Sequence, residues 1–162
     1  MLASADGGSW GAENVISQSS KTTPAAIAFG GKLRVFFISN DSRNLILQIT
    51  STDGGVHWSG NSQVAQRASP FTPAVAILNG TLHMVYAASN SNMELEHIST
   101  TDGTNWSAPA TTGLTMHSTQ AGPTLTAYKG ALRLSYVASN SSNLALRMSS
   151  VDGVHWGTES AW

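Results

Sequence analysis

One short phrase occurs four times along the chain and constrains its fold more than any other feature. It begins with Ser or Thr, has Asp-Gly two residues later, and ends on a Trp four or five residues after the Asp. In such a turn the Asp caps nearby backbone N–H groups, Gly supplies a positive φ, and the Trp covers the adjacent apolar surface. A phrase that returns at a steady interval predicts a repeat architecture. The four copies are Ser4–Trp10, Ser51–Trp58, Thr100–Trp106 and Ser150–Trp156.

The spacing of the phrase defines the length of the repeat. Its Asp residues are separated by 47, 49 and 50 residues, a period typical of solenoids, propellers and arrays. Pro24, Pro73 and Pro123 each lie 29 residues before the next Asp. The variation in length therefore falls between each Trp and the next Pro, and we predict that this connection is a surface loop.

Each repeat is predicted to contain four β-strands, because short apolar runs alternate with Gly- or Asn-rich turns. The first strand is rich in small residues, which suits an innermost position. The predicted strands of the first repeat are Ala25–Phe29, Leu33–Ile38, Leu45–Thr50 and a fourth from Trp58 through Ser59–Val64. Those of the second are Ala74–Leu78, Leu82–Ala87, Leu95–Ser99 and a fourth from Trp106 through Ser107–Thr111. Those of the third are Thr124–Tyr128, Leu132–Val137, Leu144–Ser149 and a fourth from Trp156 through Gly157–Trp162.

Four antiparallel strands in about 50 residues are the size of one propeller blade. The predicted class is therefore all-β, a β-propeller with an orphan outer strand at 1–16 and blades at 17–66, 67–112 and 113–162. Three blades do not close a ring, and open ends would expose strand edges and apolar faces. We therefore expect a homo-oligomer, a dimer of six blades being the simplest closure and a trimer of nine the alternative.

Composition excludes several kinds of partner. Only 10% of the 162 residues are charged and the net charge is −1, whereas nucleic acid and anionic membranes require clustered Lys and Arg. The chain has no cysteine and no apolar run of transmembrane length. Its histidines lie in no metal-ligand spacing with carboxylates, so no metal or other cofactor is predicted. Met1-Leu2-Ala3-Ser4 does not have the pattern of a signal peptide, and the sequence assigns the chain to no compartment.

The repeated phrase resembles the Asp-box of sialidases and related β-propellers, S-x-D-x-G-x-x-W, with full spacing at Ser51–Trp58. The unit Pro-Ala-x-Ala…Gly-x-Leu-x-x-x-Tyr…Ser-Asn-x-x-Asn-Leu-x-Leu-x-x-Ser-x-x-Asp-Gly-x-x-Trp is similar to the blade of the Photorhabdus-type bacterial propeller lectins. Those lectins have a sialidase-like architecture and bind fucose and O-methylated sugars without cleaving them. The resemblance implies a non-catalytic lectin whose partners are glycans. The alternatives are a structural or engineered propeller-assembly fragment with weak or no binding, and a sialidase-like glycosidase remnant.

Polar side chains at equivalent positions of the second and third strands are the first candidates for sugar binding. If the bends centre on Asp41, Asn90 and Asn140, these side chains face one another in pairs between blades. They would grip sugar hydroxyls, or else bond to backbone carbonyls of the adjacent blade. The predicted pairs are Arg34 with Gln48, His83 with His97, and Arg133 with Arg147.

The tryptophans of the phrase and the blade connections supply two further sets. Trp58, Trp106 and Trp156 could stack on a sugar, but in sialidases the box aromatic is structural, and the resemblance favours that role here. The second set lies six residues before each repeat Pro, where loop residues either determine specificity or are merely solvated; we favour solvation. Its members are Gln18, Arg67 and His117.

One arrangement could support catalysis. Tyr86 is expected to face Glu94 across a strand pair with Glu96 nearby, and a sialidase uses a Tyr nucleophile beside a Glu. The Arg-Ile-Pro motif of sialidases is absent, however, and the arginines are scattered along the chain. The equivalent positions carry Phe37 in one blade and Tyr136, without the acid, in another. We therefore predict that the protein is not an enzyme.

Overall fold

The computed structural model describes residues 4–11, 15–115, 121–138 and 143–161, and its regular structure within these ranges is β-sheet alone. The predicted all-β class is confirmed. Among these residues there is no helix of the length and hydropathy needed to cross a membrane.

The described strands form three antiparallel sheets of four strands, and each sheet follows chain order. The first sheet contains β1 (Ala25–Phe29), β2 (Lys32–Ile38), β3 (Leu45–Ser51) and β4 (Ser62–Ala68). The second contains β5 (Ala74–Leu78), β6 (Thr81–Ala87), β7 (Glu94–Thr100) and β8 (Ala110–Thr115). The third contains β9 (Thr124–Tyr128), β10 (Ala131–Val137), β11 (Ala145–Ser150) and β12 (Ser160–Ala161). The first three strands of each sheet agree with the prediction to within one residue at either end.

The fourth strand of each sheet begins four residues after the Trp at which it was predicted to start. The reason is that the residue after each Trp bonds back to the third strand and so remains part of the turn. The N–H of Ser59 donates to the Thr50 carbonyl (2.9 Å), and Ser107 and Gly157 donate to the equivalent carbonyls. The predicted blade boundaries at 66 and 112 are corrected accordingly, because β4 runs to residue 68 and β8 to residue 115.

The predicted N-terminal outer strand is not a strand in its described part. Residues 4–10 form a turn, and no strand is assigned between 4 and 11 or at 15 and 16. The remainder of that prediction falls on residues outside the described ranges. The predicted bend at Asn140 and the side chain of His117 also lie outside the described residues.

The three sheets pack side by side with their first strands innermost. β5 lies against both β1 and β9, as the small residues of the first strands predict. The middle sheet is buried on both faces because alternate residues of a strand point to opposite sides. In β6, Met84 and Tyr86 pack against the first sheet, whereas Val85 and Ala87 pack against the third. We refer to the sheets as blades 1, 2 and 3.

The repeated phrase forms a turn capped by its Asp in all four copies, which we call the Asp turns, and the Ser51–Trp58 copy contains one residue more than the others. In the second copy, Asp53 Oδ1 accepts hydrogen bonds from the N–H groups of Val56 (3.1 Å) and His57 (2.9 Å). The Ser51 hydroxyl donates to the same carboxylate (2.7 Å). Gly54 has a φ of 75°, so the predicted cap and backbone conformation are both confirmed. The backbone N–H of His57 and the Ser51 hydroxyl hold the pKa of Asp53 well below its ordinary value.

Replacement of this carboxylate tests whether the Asp turn is structural. Asp53→Ala leaves two backbone N–H groups and the Ser51 hydroxyl without their acceptor, so we expect the melting temperature to fall. Thr52→Ala, at an exposed position of the same turn, is the control and should leave it unchanged. Thermal unfolding followed by circular dichroism measures both. Equal melting temperatures for wild type and Asp53→Ala would contradict a capping role.

Candidate functional site

The six polar residues predicted to pair across the second and third strands lie on the same face of each blade but not opposite one another. The observed register pairs Arg34 with Thr50, His83 with Ser99, and Arg133 with Ser149. The predicted register is wrong by two residues, because the first bend centres on Ser42 rather than on Asp41 and the others shift equally. A shift of two preserves the face, so the members of each predicted pair are diagonal neighbours.

In blade 1 this face holds the Asp turn of blade 2. Arg34 is buried and donates through Nη1 to the Gly103 carbonyl (2.9 Å) and through Nη2 to the Asp102 carbonyl (3.0 Å). Gln48 Nε2 also donates to the Gly103 carbonyl (3.4 Å). Burial lowers the pKa of Arg34, and Asp102 opposes that shift. The donors proposed for sugar are thus used by the next blade, which is the second of the two alternatives. We call this contact the interblade joint.

Blade 2 also lies against the Asp turn of the following blade, here through a pair of histidines. A hydrogen bond of 2.9 Å joins His83 Nδ1 and His97 Nε2, and both rings are buried. A Cβ at Gly153 of the next turn would lie only 2.5 Å from His83 Nδ1, so the rings lie directly against that backbone. Burial lowers the pKa of both histidines, that of His97 to about 4. The pair is therefore neutral at physiological pH.

In blade 3 the corresponding residues, Arg133 and Arg147, are exposed. They line a groove of about 640 Å³ together with Tyr128, Thr158 and Ser160. Arg147 Nε donates to the Ser160 hydroxyl (3.2 Å). The same face that is filled in blades 1 and 2 is therefore accessible at this end of the array.

The three candidate tryptophans are half-buried against the cores of the blades. Trp58 Nε1 donates to the Gly55 carbonyl (3.0 Å), and Trp156 Nε1 to the Gly153 carbonyl (3.1 Å). Trp106 lies edge-on to Phe36 of blade 1, with ring centroids 6.1 Å apart. These contacts give all three a structural role, and stacking on a sugar remains a prediction for their exposed edges.

A further pocket, which the sequence analysis did not assemble, lies between blades 1 and 2. Its volume is about 170 Å³. The Tyr86 hydroxyl donates to Glu96 Oε2 at its wall, and Arg67 Nε is buried there with no acceptor within the described residues. The lining residues are Gln66, Arg67, Ala68, Tyr86, Ala88, Ser89, Asn90 and Glu96.

A β-bulge in the last strand of blade 1 positions Arg67. The pairing of β3 with β4 shifts register between Leu45 and Leu47. Ala65 and Gln66 both have positive φ, at 46° and 55°, which is uncommon for residues other than Gly. Bulges re-aim side chains and occur next to functional sites. The N–H of Ser89 in blade 2 then bonds to the Ala68 carbonyl (3.1 Å), which ties the two blades together beside the pocket.

The equivalent pocket of blade 1 has different chemistry. Gln18, Phe37 and Leu47 occupy the positions of Arg67, Tyr86 and Glu96, in a pocket of about 450 Å³. Gln18 Oε1 accepts a hydrogen bond from Asn61 Nδ2 (3.0 Å). In blade 3 the position of Tyr86 carries Tyr136, whose pKa is raised by burial and then by the nearby Glu159, and the side chain at the position of Arg67 lies outside the described residues. Within the described residues, a guanidinium, a phenol and a carboxylate are brought together between blades 1 and 2 alone.

The sequence contained a signal for this pocket that the register error hid. Arg67 is one of the connection residues, and the sequence predicts Tyr86 beside an acid. The predicted partner Glu94 is wrong, because Tyr86 pairs with Glu96 in the observed register. Glu94 Oε1 instead accepts a hydrogen bond from Asn92 Nδ2 (3.3 Å). Among the described residues, no group of His, Cys, Asp and Glu is placed to hold a metal ion.

Comparison with solved structures identifies the fold. The α-L-arabinofuranosidase Arb93A of Fusarium graminearum is 19% identical, with a TM-score of 0.74 over 99% of this chain and 57% of that chain. The Penicillium chrysogenum α-L-arabinanase, solved with arabinobiose, is 16% identical, with a TM-score of 0.71 over 99% and 57%. The Aleuria aurantia lectin, solved with α-methyl-L-fucoside, is 15% identical, with a TM-score of 0.66 over 97% and 51%.

These similarities place the chain in the β-propeller fold, as a three-blade portion. The chain spans about half the length of the three proteins. No family model matches the sequence, and no curated protein matches it.

A glycine substitution tests the interblade joint. Gly103→Ala places a Cβ inside the Arg34 guanidinium, whereas Gly54→Ala has the same left-handed φ and open space around it. The left-handed conformation costs both variants about 1–2 kcal/mol, and the clash adds about 1–3 kcal/mol for Gly103→Ala alone. Chemical denaturation measures the difference. Equal destabilisation by the two substitutions would contradict a tight joint.

The buried histidine pair predicts a pH dependence of stability. The lowered pKa means that the unfolded chain binds more protons than the folded chain between about pH 6.5 and about pH 4. The free energy of unfolding should therefore fall through this window as pH decreases, by on the order of 2 kcal/mol. The Asp-turn carboxylates also have pKa values lowered from 3.8, but the stability that they contribute is lost near and below that value, which lies below pH 5.

Urea denaturation at about pH 7 and about pH 5 measures the effect. The double variant His83→Gln/His97→Gln should show a smaller loss of stability than wild type between the two conditions. An equal loss in both proteins would assign the dependence to other groups.

Proposed function

We propose that this chain is a non-catalytic carbohydrate-binding protein that holds a monosaccharide, fucose or an O-methylated sugar, in the pocket of Arg67, Tyr86 and Glu96. The observation that carries the proposal is the buried Arg67 Nε without an acceptor, beside a carboxylate that already accepts from a phenol. A buried guanidinium donor without a partner is costly, and a ligand oxygen would remove that cost.

The chemistry of the pocket suits neighbouring sugar hydroxyls. Each hydroxyl both donates and accepts, so one can accept from Arg67 while another donates to Glu96. Asn90 adds an amide at the rim. The volume is smaller than the roughly 300 Å³ at which pockets for drug-sized ligands begin, and this favours a single sugar ring with one side exposed. The likeness to a lectin solved with a fucoside supports the same class of ligand.

The pocket is better suited to binding than to hydrolysis. Glycoside hydrolysis by the common mechanisms needs two carboxylates, and Glu96 is the one carboxylate among the described residues that line this pocket. Burial, and then the hydrogen bond to Glu96, raise the pKa of Tyr86. A nucleophilic tyrosine requires the opposite shift.

A glycosidase is the second candidate function, and one observation favours it. Tyr86, Glu96 and Arg67 lie together, as a tyrosine nucleophile, its acidic neighbour and a substrate-binding arginine would. Two of the similar structures are also arabinan-degrading enzymes by name. Release of nitrophenol from nitrophenyl fucoside, arabinofuranoside or sialoside by the wild-type chain, lost in Tyr86→Phe, would establish this candidate and overturn the binding proposal.

We also propose that the chain acts as a homo-oligomer, with a dimer of six blades as the simplest ring. The support is that the end face of blade 3 is exposed in a single chain, whereas the same face is filled in blades 1 and 2. The alternative is that the chain does not assemble into a ring and is a structural fragment with weak binding.

The sugar site is tested by removing its charged groups. Arg67→Ala and Glu96→Gln should each raise the dissociation constant for α-methyl-L-fucoside roughly 10- to 100-fold, because each removes a charge-assisted hydrogen bond. Isothermal titration calorimetry measures the affinity, and thermal unfolding checks that each variant is folded.

The matched controls are Arg43→Ala, an exposed arginine paired with Asp41, and Glu94→Gln on the same strand as Glu96. Neither should change the affinity. Binding that is unaffected by the two pocket variants would exclude this pocket, and a wild-type chain that binds no fucoside or O-methylated sugar would favour the structural alternative.

A further inference from the structure

Two Asp turns in this chain pack against the preceding blade. Together they show which residues of that blade form the contact surface, which we call the seat. The turn at Thr100–Trp106 receives Arg34 on its Asp102 and Gly103 carbonyls, and its Trp packs against the cluster that contains Phe29. The turn at Ser150–Trp156 lies against the His83–His97 pair, and its Trp packs against the cluster that contains Leu78. A seat therefore supplies a polar pair for the turn and an apolar residue for the Trp.

Blade 3 has the corresponding residues, and no Asp turn within the described residues packs against them. Arg133 stands at the position of Arg34 and His83, which are each 4% exposed, yet Arg133 itself is exposed. Tyr128 stands at the position of Phe29 and Leu78, and it is 57% exposed where those are 8% and 6% exposed. We call the surface formed by Tyr128, Arg133 and Arg147 the open face.

The N-terminal Asp turn is formed but not seated. Asp6 Oδ1 caps the N–H groups of Gly8 and Ser9 at 2.9 Å each, and Gly7 donates to the Ser4 hydroxyl at 2.7 Å. A Cβ at Gly7 would meet no atom within 4 Å, whereas at Gly103 and Gly153 it would meet the preceding blade. Trp10 is 62% exposed.

The N-terminal turn also has the spacing of the seated turns. Four residues separate its Asp from its Trp, as in the turns of blades 2 and 3, whereas the blade 1 turn has five. Two Asp turns pack on no preceding blade within the described residues, the N-terminal copy and the blade 1 copy. Of these, the N-terminal copy has the same length as the two turns that do pack on a blade.

We propose that the N-terminal Asp turn of one chain docks on the open face of blade 3 of a second copy. The carbonyls of Asp6 and Gly7 accept from Arg133, and Trp10 covers Tyr128. A second copy is the occupant because Ile16, six residues after Trp10, packs on the face of blade 1 that points away from blades 2 and 3. This proposal depends on the proposed homo-oligomer and names the residues through which its chains make contact.

Size measurements over a range of concentrations, by sedimentation velocity, test the contact. Gly7→Ala puts a Cβ where the Arg133 side chain must lie. Arg133→Glu replaces the donor by a carboxylate, which repels the partially negative carbonyl oxygens of Asp6 and Gly7. Each should weaken self-association roughly 10- to 100-fold, the value of a charge-assisted hydrogen bond. The controls are Gly54→Ala, with a similar φ and open space, and Arg43→Ala; both should associate as wild type does.

A mixing experiment tests the head-to-tail direction. An equimolar mixture of Gly7→Ala and Arg133→Glu retains one intact joint, between the turn of the second variant and the face of the first. We therefore expect the mixture to form heterodimers at concentrations where either variant alone is monomeric. Thermal unfolding of each variant confirms that the blades are folded.

The outcomes separate the two proposals. A wild-type chain that is monomeric at all concentrations overturns both the oligomer and this contact. A wild-type oligomer that neither Gly7→Ala nor Arg133→Glu weakens, or one that Gly54→Ala weakens instead, overturns the contact alone. Fucoside affinity, measured in parallel at the Arg67 pocket, is independent of all these results.

Discussion

The rest of the structure depends on the hydrogen bonds from Arg34 to the backbone carbonyls of Asp102 and Gly103. A guanidinium can be buried between two sheets when acceptors meet its fork, and the Asp turn presents two carbonyls side by side. The turn thus connects two strands of its own blade and completes the polar face of the blade before it. Glycine is required at position 103 for two reasons. Its φ is 74°, which favours glycine, and Arg34 occupies the space that a Cβ would need.

The joint gives the array a direction. Each blade offers a polar face at one side and an Asp turn at the other, so a finite run of blades always ends with one unfilled face. The effect is visible in the burial of the second strands. In the middle blade β6 is buried almost throughout, whereas in blade 3 buried and less buried residues alternate along β10 and Arg133 is exposed. The chemistry of the polar face varies, from Arg34 with Gln48 to His83 with His97, yet each version can meet a carbonyl-rich turn.

Most of the fold could be predicted from the repeat, and most of the candidate pocket at Arg67, Tyr86 and Glu96 could not. The interval between Asp residues and the constant distance from each Pro place nine of the strands to within a residue. Register depends on how many residues the bend absorbs, and the two-residue error there assigned Glu94 to Tyr86 in place of Glu96. The position of Arg67 was beyond sequence reasoning because it depends on the bulge at Ala65 and on contact with another blade.

The joint and the pocket both lie between blades 1 and 2 but share no residue, and they differ in the substitutions that they tolerate. The joint tolerates different polar side chains, since Arg34 with Gln48 and His83 with His97 each lie against an Asp turn. The pocket needs a charged donor, a phenol and a carboxylate together, and blade 1 replaces them by Gln18, Phe37 and Leu47. Phe37 and Leu47 can neither donate nor accept a hydrogen bond through their side chains. The structural repeat is therefore threefold, while within the described residues the proposed binding chemistry is assembled once.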